Sequence, residues 1–362
     1  MFDGVYKGKK VLVTGHTGFK GSWLTAWLHH LGAKVWGFSL DVPTKPANFQ
    51  VLGLDKLVGH MEGDVRNRSA VIHAVNKVKP DMVFHLAAQA LVRKSYDDPT
   101  STFETNAMGT MNVLEALRQN PQVKAGVFIT SDKCYRNVEW PWGYREDDTL
   151  GGEDPYSASK GCAEIIIRSY QHSYFMNGPN VASTRAGNVI GGGDWAQDRI
   201  VPDAVRAWSQ EHALKIRSPH ATRPWQHVLE PLSGYLWLGA RLWADDRQVC
   251  GQAYNFGPNA LVNQSVSELL TALAGHWPGA KWKTEGTSGA KKEATLLKLC
   301  CDKALHQLEW HAALNFEDTV AMTARWYRTY YHQDGADMMS LTRHQIDDYT
   351  RIAAEQDLAW TR

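Results

Sequence analysis

Three clusters in the chain carry residue types and spacings that could do chemistry. The first is the glycine triplet Gly15, Gly18 and Gly21 in "VTGHTGFKGSWL", set in three-residue steps between an apolar run and an amphipathic one. Glycines there allow a tight turn and let a phosphate approach the backbone, while the free N–H groups of the following helix attract an anion. The second is Tyr156 and Lys160 in "YSASKGCAE", at i and i+4 and therefore on one face of a helix. A phenol ionises at about 10 when unperturbed, and a neighbouring ammonium lowers that value toward a usable base. The third is "VFITSDKCY", where an apolar strand surfaces directly into Ser131, Asp132 and Lys133. Taken alone, these three suit a strand-end turn, since Ser and Asp bond their own backbone. A reactive triad is the other reading, and the elements that position the residues have to decide.

Those elements alternate. "KKVLVTG" ends a strand, "SWLTAWLHHLG" is a helix closing on Gly32, and "AKVWGFSL" is a second strand. A short strand in "LVGHMEGDV", a helix in "RSAVIHAVNKVKP", the strand "DMVFHLAA", a helix through "TFETNAMGTMNVLEALRQN" and the strand "AGVFIT" continue the pattern. Strands alternating with helices of ordinary length predict an α/β fold with a doubly wound, Rossmann-like parallel sheet. After Tyr135 comes the loop-like "PWGYREDDTLGGEDP", then a helix from near Ser157 and a strand in "NVASTRAGNVIGG". "GGGDWAQDRIVPD", "RSPHATRPWQHV" and "YNFGPN" read as loops between helices. The expected division is a cofactor-binding domain of 1–184 plus about 226–256. A smaller mixed α/β substrate lobe of about 185–225 plus 257–362 folds over the carboxyl edge. "HQIDDYTRIAAEQ" reads as a supporting surface helix with Ile346, Tyr349 and Ile352 inward.

Composition narrows the function. The 362 residues are 43% hydrophobic and 21% charged with a formal net charge of +1, which points to a soluble enzyme-sized chain with neither nucleic acid nor membrane as partner. No apolar run reaches a membrane span, "MFDGVYKGKK" does not read as a signal peptide, and five cysteines lack metal-like spacing. A cytoplasmic protein with reduced thiols and no metal is expected. At the end of the second strand, where an acid often bonds the adenosine ribose, stands Ser39, with Asp41 two residues on. No arginine follows to pair a 2′-phosphate, which favours NAD over NADP.

The glycine spacing resembles that of the extended short-chain dehydrogenases/reductases. The resemblance implies NAD contacts from Gly15, His16, Thr17, Gly18, Phe19 and Gly21, an adenine contact at Asp64 and Val65, and a segment Leu86, Ala87, Ala88 and Gln89 beneath the pyrophosphate and ribose. His16 stands where the family often has a small residue, so a ring beside the phosphates is expected to weaken the cofactor's hold. Asn106 matches a helix asparagine that supports the site, although a polar helix position explains it equally well. Ser131, Tyr156 and Lys160 then match the hydride-transfer site, with Ser131 bonding the hydroxyl to be oxidised.

An acid directly after that serine resembles the sugar-nucleotide 4,6-dehydratases. In them oxidation at C4 acidifies the C5 hydrogen, a base removes it, an acid protonates the departing C6 hydroxyl, and hydride returns to C6. Asp132 fits the acid. Lys133 stands where a glutamate base is commoner, and an ammonium is no base until it loses its proton. It is either the C5 base or a group that polarises the enolate. Ser-Asp-Lys together with "GHTGFKGSWL", "GGGDWAQDRIVPD" and "RPWQHVLEP" resembles the CDP-glucose 4,6-dehydratases over nearly the whole chain. That implies diphosphate contacts from Asn188, Arg223 and Asn255, with Arg199 and Arg217 as helpers and Arg185 serving the fold or the nicotinamide side. It also implies a homodimer or homotetramer built on the helices of Asn106 and Tyr156, and a setting in deoxysugar and lipopolysaccharide O-antigen biosynthesis. The rivals are a dehydratase for another nucleotide sugar, a 4-epimerase, which has no departing hydroxyl for Asp132 to protonate, and a non-catalytic NAD-sensing protein.

Overall fold

The computed structural model describes residues 1–259, 262–284 and 296–362. Seven strands form one sheet: β1 Lys10–Thr14, β2 Lys34–Ser39, β3 Gly59–Glu62, β4 Met82–His85, β5 Ala125–Ile129, β6 Asn180–Ala186 and β7 Ala253–Phe256. Their order is β7-β6-β5-β4-β1-β2-β3, with every neighbour parallel. Alternate residues feed two cores, as the period of a strand requires. Val11, Val13, Phe84 and Val127 face one core, and Leu12, Val83 and Phe128 face the other. The principal helices, in chain order, are α1 Phe19–His30, α2 Arg68–Val78, α3 Gly109–Arg118, α4 Pro155–Tyr174, α5 Leu229–Trp243 and α6 Met338–Glu355.

 Helices α1 and α5 cover the first core, and α2, α3 and α4 cover the second.

The order reverses between β1 and β4, where a crevice opens at the carboxyl ends of the strands. Thr14 pairs with both Phe38 and His85, so the loops that follow β1, β2 and β4 emerge side by side. The loop after β5 joins them, because His85 pairs with Phe128. The three sequence clusters therefore meet at one edge.

The structure corrects one expectation of the fold. Tyr254–Phe256 in "YNFGPN" is not a loop but part of β7, held parallel to β6 with Asn255 opposite Arg185. The helix expected through "TFETNAMGTMNVLEALRQN" is present and runs from Pro99 into α3, widened by a π turn at Glu104–Met108. Helix α6 packs on α1, where Tyr349 meets Trp27 edge-on at 5.9 Å and His30 Nε2 lies 2.8 Å from Asp347, and also on the helix Phe316–His332, where Trp326 Nε1 donates to the Thr342 hydroxyl at 3.0 Å. Ile346 and Tyr349 are fully buried there, as their spacing predicts. The remaining segments after β6 are short pieces, among them the strand pairs Leu214–Ile216 with Trp282–Thr284 and Thr222–Arg223 with Gln264–Ser265.

Candidate active site

The glycine loop has the shape that its spacing predicts. Gly15 has φ +75°, and a Cβ there would fall 2.7 Å from the Ala87 nitrogen. A Cβ on Gly21 would fall 2.1 Å from the Gly15 carbonyl oxygen, so this glycine seats α1 against the turn. Gly18 N-caps α1 and precedes Phe19. Across the crevice, Leu86 N–H donates to the Thr14 carbonyl at 3.0 Å, and Ala87 N–H reaches the Thr14 hydroxyl at 3.3 Å. Behind them His85 bridges Thr14 at 2.7 Å and Thr110 at 3.1 Å. Burial draws its pKa down to about 3, so the bridge is a neutral one.

His16 does not stand free beside the loop, contrary to the expectation of a ring next to the phosphates. It is fully buried over Gly37, with Nδ1 2.8 Å from the Ser39 hydroxyl and Nε2 2.8 Å from His60. Burial, reinforced by His60, lowers its pKa to about 3. Ser39 is thus engaged with His16 at the place of the ribose acid, while Asp41 is exposed and its carbonyl accepts from the Thr17 hydroxyl at 2.6 Å. Asp64 forks with Arg66, and Asn112 Nδ2 donates to the Val65 carbonyl at 2.9 Å.

Asn106 sits in the π turn, a local widening often found at functional sites. Its Oδ1 accepts from Gln89 N–H at 2.9 Å, and its Nδ2 donates to the Gln89 carbonyl at 3.1 Å and to Ser159 Oγ at 2.8 Å. It therefore ties the Leu86–Gln89 segment to the first turn of α4. The Gln89 side chain holds its own loop through Leu91 and Thr102.

The residues expected to be catalytic gather where β5 meets α4. Asp154 caps α4, accepting from Ser157 N–H at 3.0 Å, and Pro155 opens the first turn. This fixes Tyr156 at the helix start with Lys160 one turn behind. Burial pushes the Tyr156 phenol up to about 12, and a Ser131 hydrogen bond pulls against that rise. Burial lowers Lys160 to about 8, with Glu164 opposing, and its Nζ donates to the Ile129 carbonyl at 3.3 Å. Ser131 Oγ donates to Asp132 Oδ1 at 2.9 Å and accepts from Lys133 N–H at 3.2 Å. The strand-end turn thus holds the candidate triad Ser131, Asp132 and Lys133. Asp132 is buried, whereas Lys133 is half-buried and its side chain has no hydrogen bond or ion pair among the described residues.

Of the expected substrate residues, Arg199 faces this cluster: it pairs with Asp194 at 2.7 Å and acts electrostatically on Tyr156. Asn188 follows Gly187, whose Cβ would lie 3.2 Å from Asp132 Oδ2. Arg223 adjoins Pro224, and Gly187 and Pro224 both line an open cleft walled by Trp142 and Leu299. Arg217 is exposed beyond this cleft's lining. Asn255 is corrected. Its side chain is fully buried, donating to the Tyr144 and Cys300 carbonyls at 2.9 and 3.0 Å and accepting from the Tyr135 hydroxyl at 2.8 Å. With no polar group left over, it braces the loop after β5 instead of reaching a ligand. Arg185 is also a brace, bonded to Glu164 at 2.8 Å and to Tyr135 at 2.7 Å.

Two site residues carry no mark in the reading of the sequence. Lys20, inside the glycine motif, lies 5.9 Å from the Tyr235 ring and senses Arg199, Asp132 and Lys160; burial lowers it to about 8. An ammonium between Gly18 and Gly21, on an otherwise apolar helix start, is the signal that could have found it. Tyr235, in α5, is fully buried and electrostatically coupled to Asp132 and Tyr156.

Comparison with known proteins agrees with this geometry. The chain is 44% identical to the CDP-glucose 4,6-dehydratase of Salmonella typhimurium over 95% of its own length and 97% of the relative's. It is 32% identical to the CDP-paratose 2-epimerase of Salmonella typhi over 73% and 83% of the two chains. Among solved structures, the UDP-glucose 4-epimerase of Thermus thermophilus in complex with NAD matches with a TM-score of 0.74 at 25% identity, covering 88% of this chain and 99% of that one. Residues 12–323 match the family model described as GDP-mannose 4,6 dehydratase, and the chain belongs to that family.

Proposed function

We propose that the chain dehydrates CDP-D-glucose to CDP-4-dehydro-6-deoxy-D-glucose with NAD as its cofactor. The observation that carries this reading is a buried carboxylate, Asp132, bonded to the hydroxyl of the same oxidation site that holds Tyr156. An oxidation alone needs no acid there, whereas loss of a C6 hydroxyl does. The 44% likeness to a CDP-glucose 4,6-dehydratase supports the choice of nucleotide.

The residues fit NAD. The left-handed Gly15, the closeness of Gly21 to the turn, and the open start of α1 make a cradle that any side chain would fill. Bound NAD supplies reversible acceptance of hydride, and its positive ring lowers the phenol beside it. Ser131 orients the C4 hydroxyl, and Tyr156 takes its proton. Lys160 holds the ribose side and adds positive charge. Lys133, half-buried and unpaired among the described residues, takes the C5 proton. Asp132 delivers a proton to the C6 oxygen as water leaves. Asn188, Arg199 and Arg223 grip the diphosphate in the cleft bounded by Gly187 and Pro224, a task suited to the arginine fork.

The cofactor half comprises 1–184 and about 226–256, and the substrate lobe about 185–225 and 257–362. We further assign the protein to the cytoplasm, as a homodimer or homotetramer supplying deoxysugar for lipopolysaccharide O-antigen. Five free thiols support the compartment. The exposed Met108 beside α3 and Ile165 on α4 support the assembly. Among the described residues no helix is long and apolar enough to cross a membrane.

The test is incubation with CDP-glucose and NAD, alongside the UDP, dTDP and GDP sugars. A product with the alkaline absorbance of a 4-keto-6-deoxy sugar, from the CDP sugar first, is expected without net reduced NAD. No product, or steady accumulation of reduced NAD, overturns the reading.

A further inference from the structure

Tyr156 stands in the first turn of α4, where backbone N–H groups lack helical partners and a chain tends to fray. The first regular bond of the helix is Ala158 N–H to the Asp154 carbonyl at 2.9 Å, so the three residues before Ala158 must look elsewhere. Pro155 has no N–H, and Ser157 N–H goes to the Asp154 carboxylate at 3.0 Å. Tyr156 N–H reaches beyond the helix and its cap: it donates to Ser95 Oγ at 3.2 Å. The direction is fixed, because a hydroxyl has one proton and Ser95 spends it on the Val92 carbonyl at 2.7 Å. Ser95 is fully buried in the short helix Val92–Asp97, 61 positions before Tyr156, on the chain that continues from Leu86–Gln89. The Tyr156 carbonyl is referred to the same stretch. It accepts from the Ser159 hydroxyl at 2.7 Å, and Ser159 is held by Asn106, which binds Gln89.

We propose that Ser95 is a positioning residue for the tyrosine base, holding Tyr156 by its peptide N–H at the reach that proton transfer from the C4 hydroxyl requires; the inference rests on the dehydratase reading. The phenol hangs from a residue at a helix end, so any shift of that turn moves its oxygen. Proton transfer needs heavy atoms within about 3 Å, and a misplacement of about 1 Å can cost about a hundredfold. Asp154 and Pro155 make the turn helical, but they belong to α4 and its cap and do not fix where the turn lies relative to the crevice. Ser95 and Asn106 do, because they tie the two sides of Tyr156 to the chain leaving β4. Ser95 moves no proton itself, since its hydroxyl is committed to Val92 and Tyr156. Lys160 has a separate anchor in the Ile129 carbonyl at 3.3 Å. Loss of Ser95 therefore loosens Tyr156 and leaves Lys160 in place.

The test replaces Ser95 in the full chain by Ala, which removes the acceptor and adds no bulk. In the NAD-free protein, hydrogen–deuterium exchange of the Tyr156 amide should quicken about tenfold or more, while amides farther along α4 keep their rates. In turnover with CDP-glucose and NAD, kcat should fall about tenfold or more, with KM for the sugar and the affinity for NAD within about twofold of the unchanged enzyme. Ser95→Thr keeps the hydroxyl and should hold kcat within about threefold. A serine that merely supports the fold gives another pattern, in which melting temperature, NAD affinity and kcat fall together. That pattern overturns the positioning role alone. So does an unchanged kcat or an unchanged Tyr156 exchange rate in Ser95→Ala, or an equal loss of kcat in Ser95→Thr at an unchanged melting temperature. If the unchanged enzyme forms no 4-keto-6-deoxy sugar from CDP-glucose, the dehydratase reading falls, and the role of Ser95 falls with it.

Discussion

Burial pushes Tyr156 and Lys160 in opposite directions, the phenol up and the ammonium down, each toward its uncharged form. The cost is what makes both groups responsive to a charged ligand arriving beside them. Lys133 differs, being half-buried with no side-chain partner among the described residues. If it takes the C5 proton, Lys133→Met should lower elimination by roughly a hundredfold or more while C4 oxidation continues. Reduced NAD would then build up with CDP-glucose, read directly by its absorbance; loss of oxidation to the same degree would contradict the assignment. Tyr156, Lys160, Ser131 and Asp132 were legible because they are close in sequence to one another or to a strand end. Lys20 and Tyr235 were not, since their relevance depends on α1 and α5 converging on Asp132 from 112 and 103 positions away in the chain.

At the scale of elements, short-range rules position the site. Asp154 accepts the Ser157 N–H and starts α4 one residue before Pro155. Asp154→Ala should cost about 1 kcal/mol of stability in denaturant melts. Because Tyr156 lies in that first turn, the same change should lower turnover more than substrate binding, seen as a fall in kcat with little change in KM. Gly21 holds α1 against the Gly15 turn, and Gly21→Ala places a Cβ 2.1 Å from the Gly15 carbonyl. Overpacking of this kind should cost about 2 kcal/mol and weaken NAD markedly, measurable by melting and by titration with the cofactor. The π turn at Asn106 was illegible because it disturbs no apolar period. It shows only in the bonds that join Asn106 to Gln89 and Ser159.

Across the whole molecule, the C-terminal segment is tied to α5 by one buried acid. Glu230 accepts from the Ala313 and Leu314 N–H groups and from the Tyr349 hydroxyl. Burial raises its pKa to about 7, against those hydrogen bonds. In the unfolded chain a glutamate titrates at about 4.3. Between those values the folded state binds more protons, so this contribution is fully present below about pH 4.3 and is lost as pH rises through about 7. Glu230→Gln, which keeps the shape and an acceptor, should remove that decline, worth up to about 3 kcal/mol, from urea melts run across the window. An unchanged pH dependence in the variant would show that Glu230 does not set it.

The sequence by itself determined the alternation of strands and helices, the glycine cradle, and the residues of the oxidation site. Each is a local matter of period, turn chemistry or spacing along one element. Tertiary structure alone decided the rest. It turned Asn255 from a diphosphate contact into a brace, because Tyr144, Cys300 and Tyr135 converge on it from distant positions. It buried His16 between Ser39 and His60, where a ring beside the phosphates was expected. It also set α6 between α1 and the helix Phe316–His332. Hydrogen-bond capacity and burial belong to neighbours in space, and a buried amide or imidazole is claimed by whichever groups the fold brings to it.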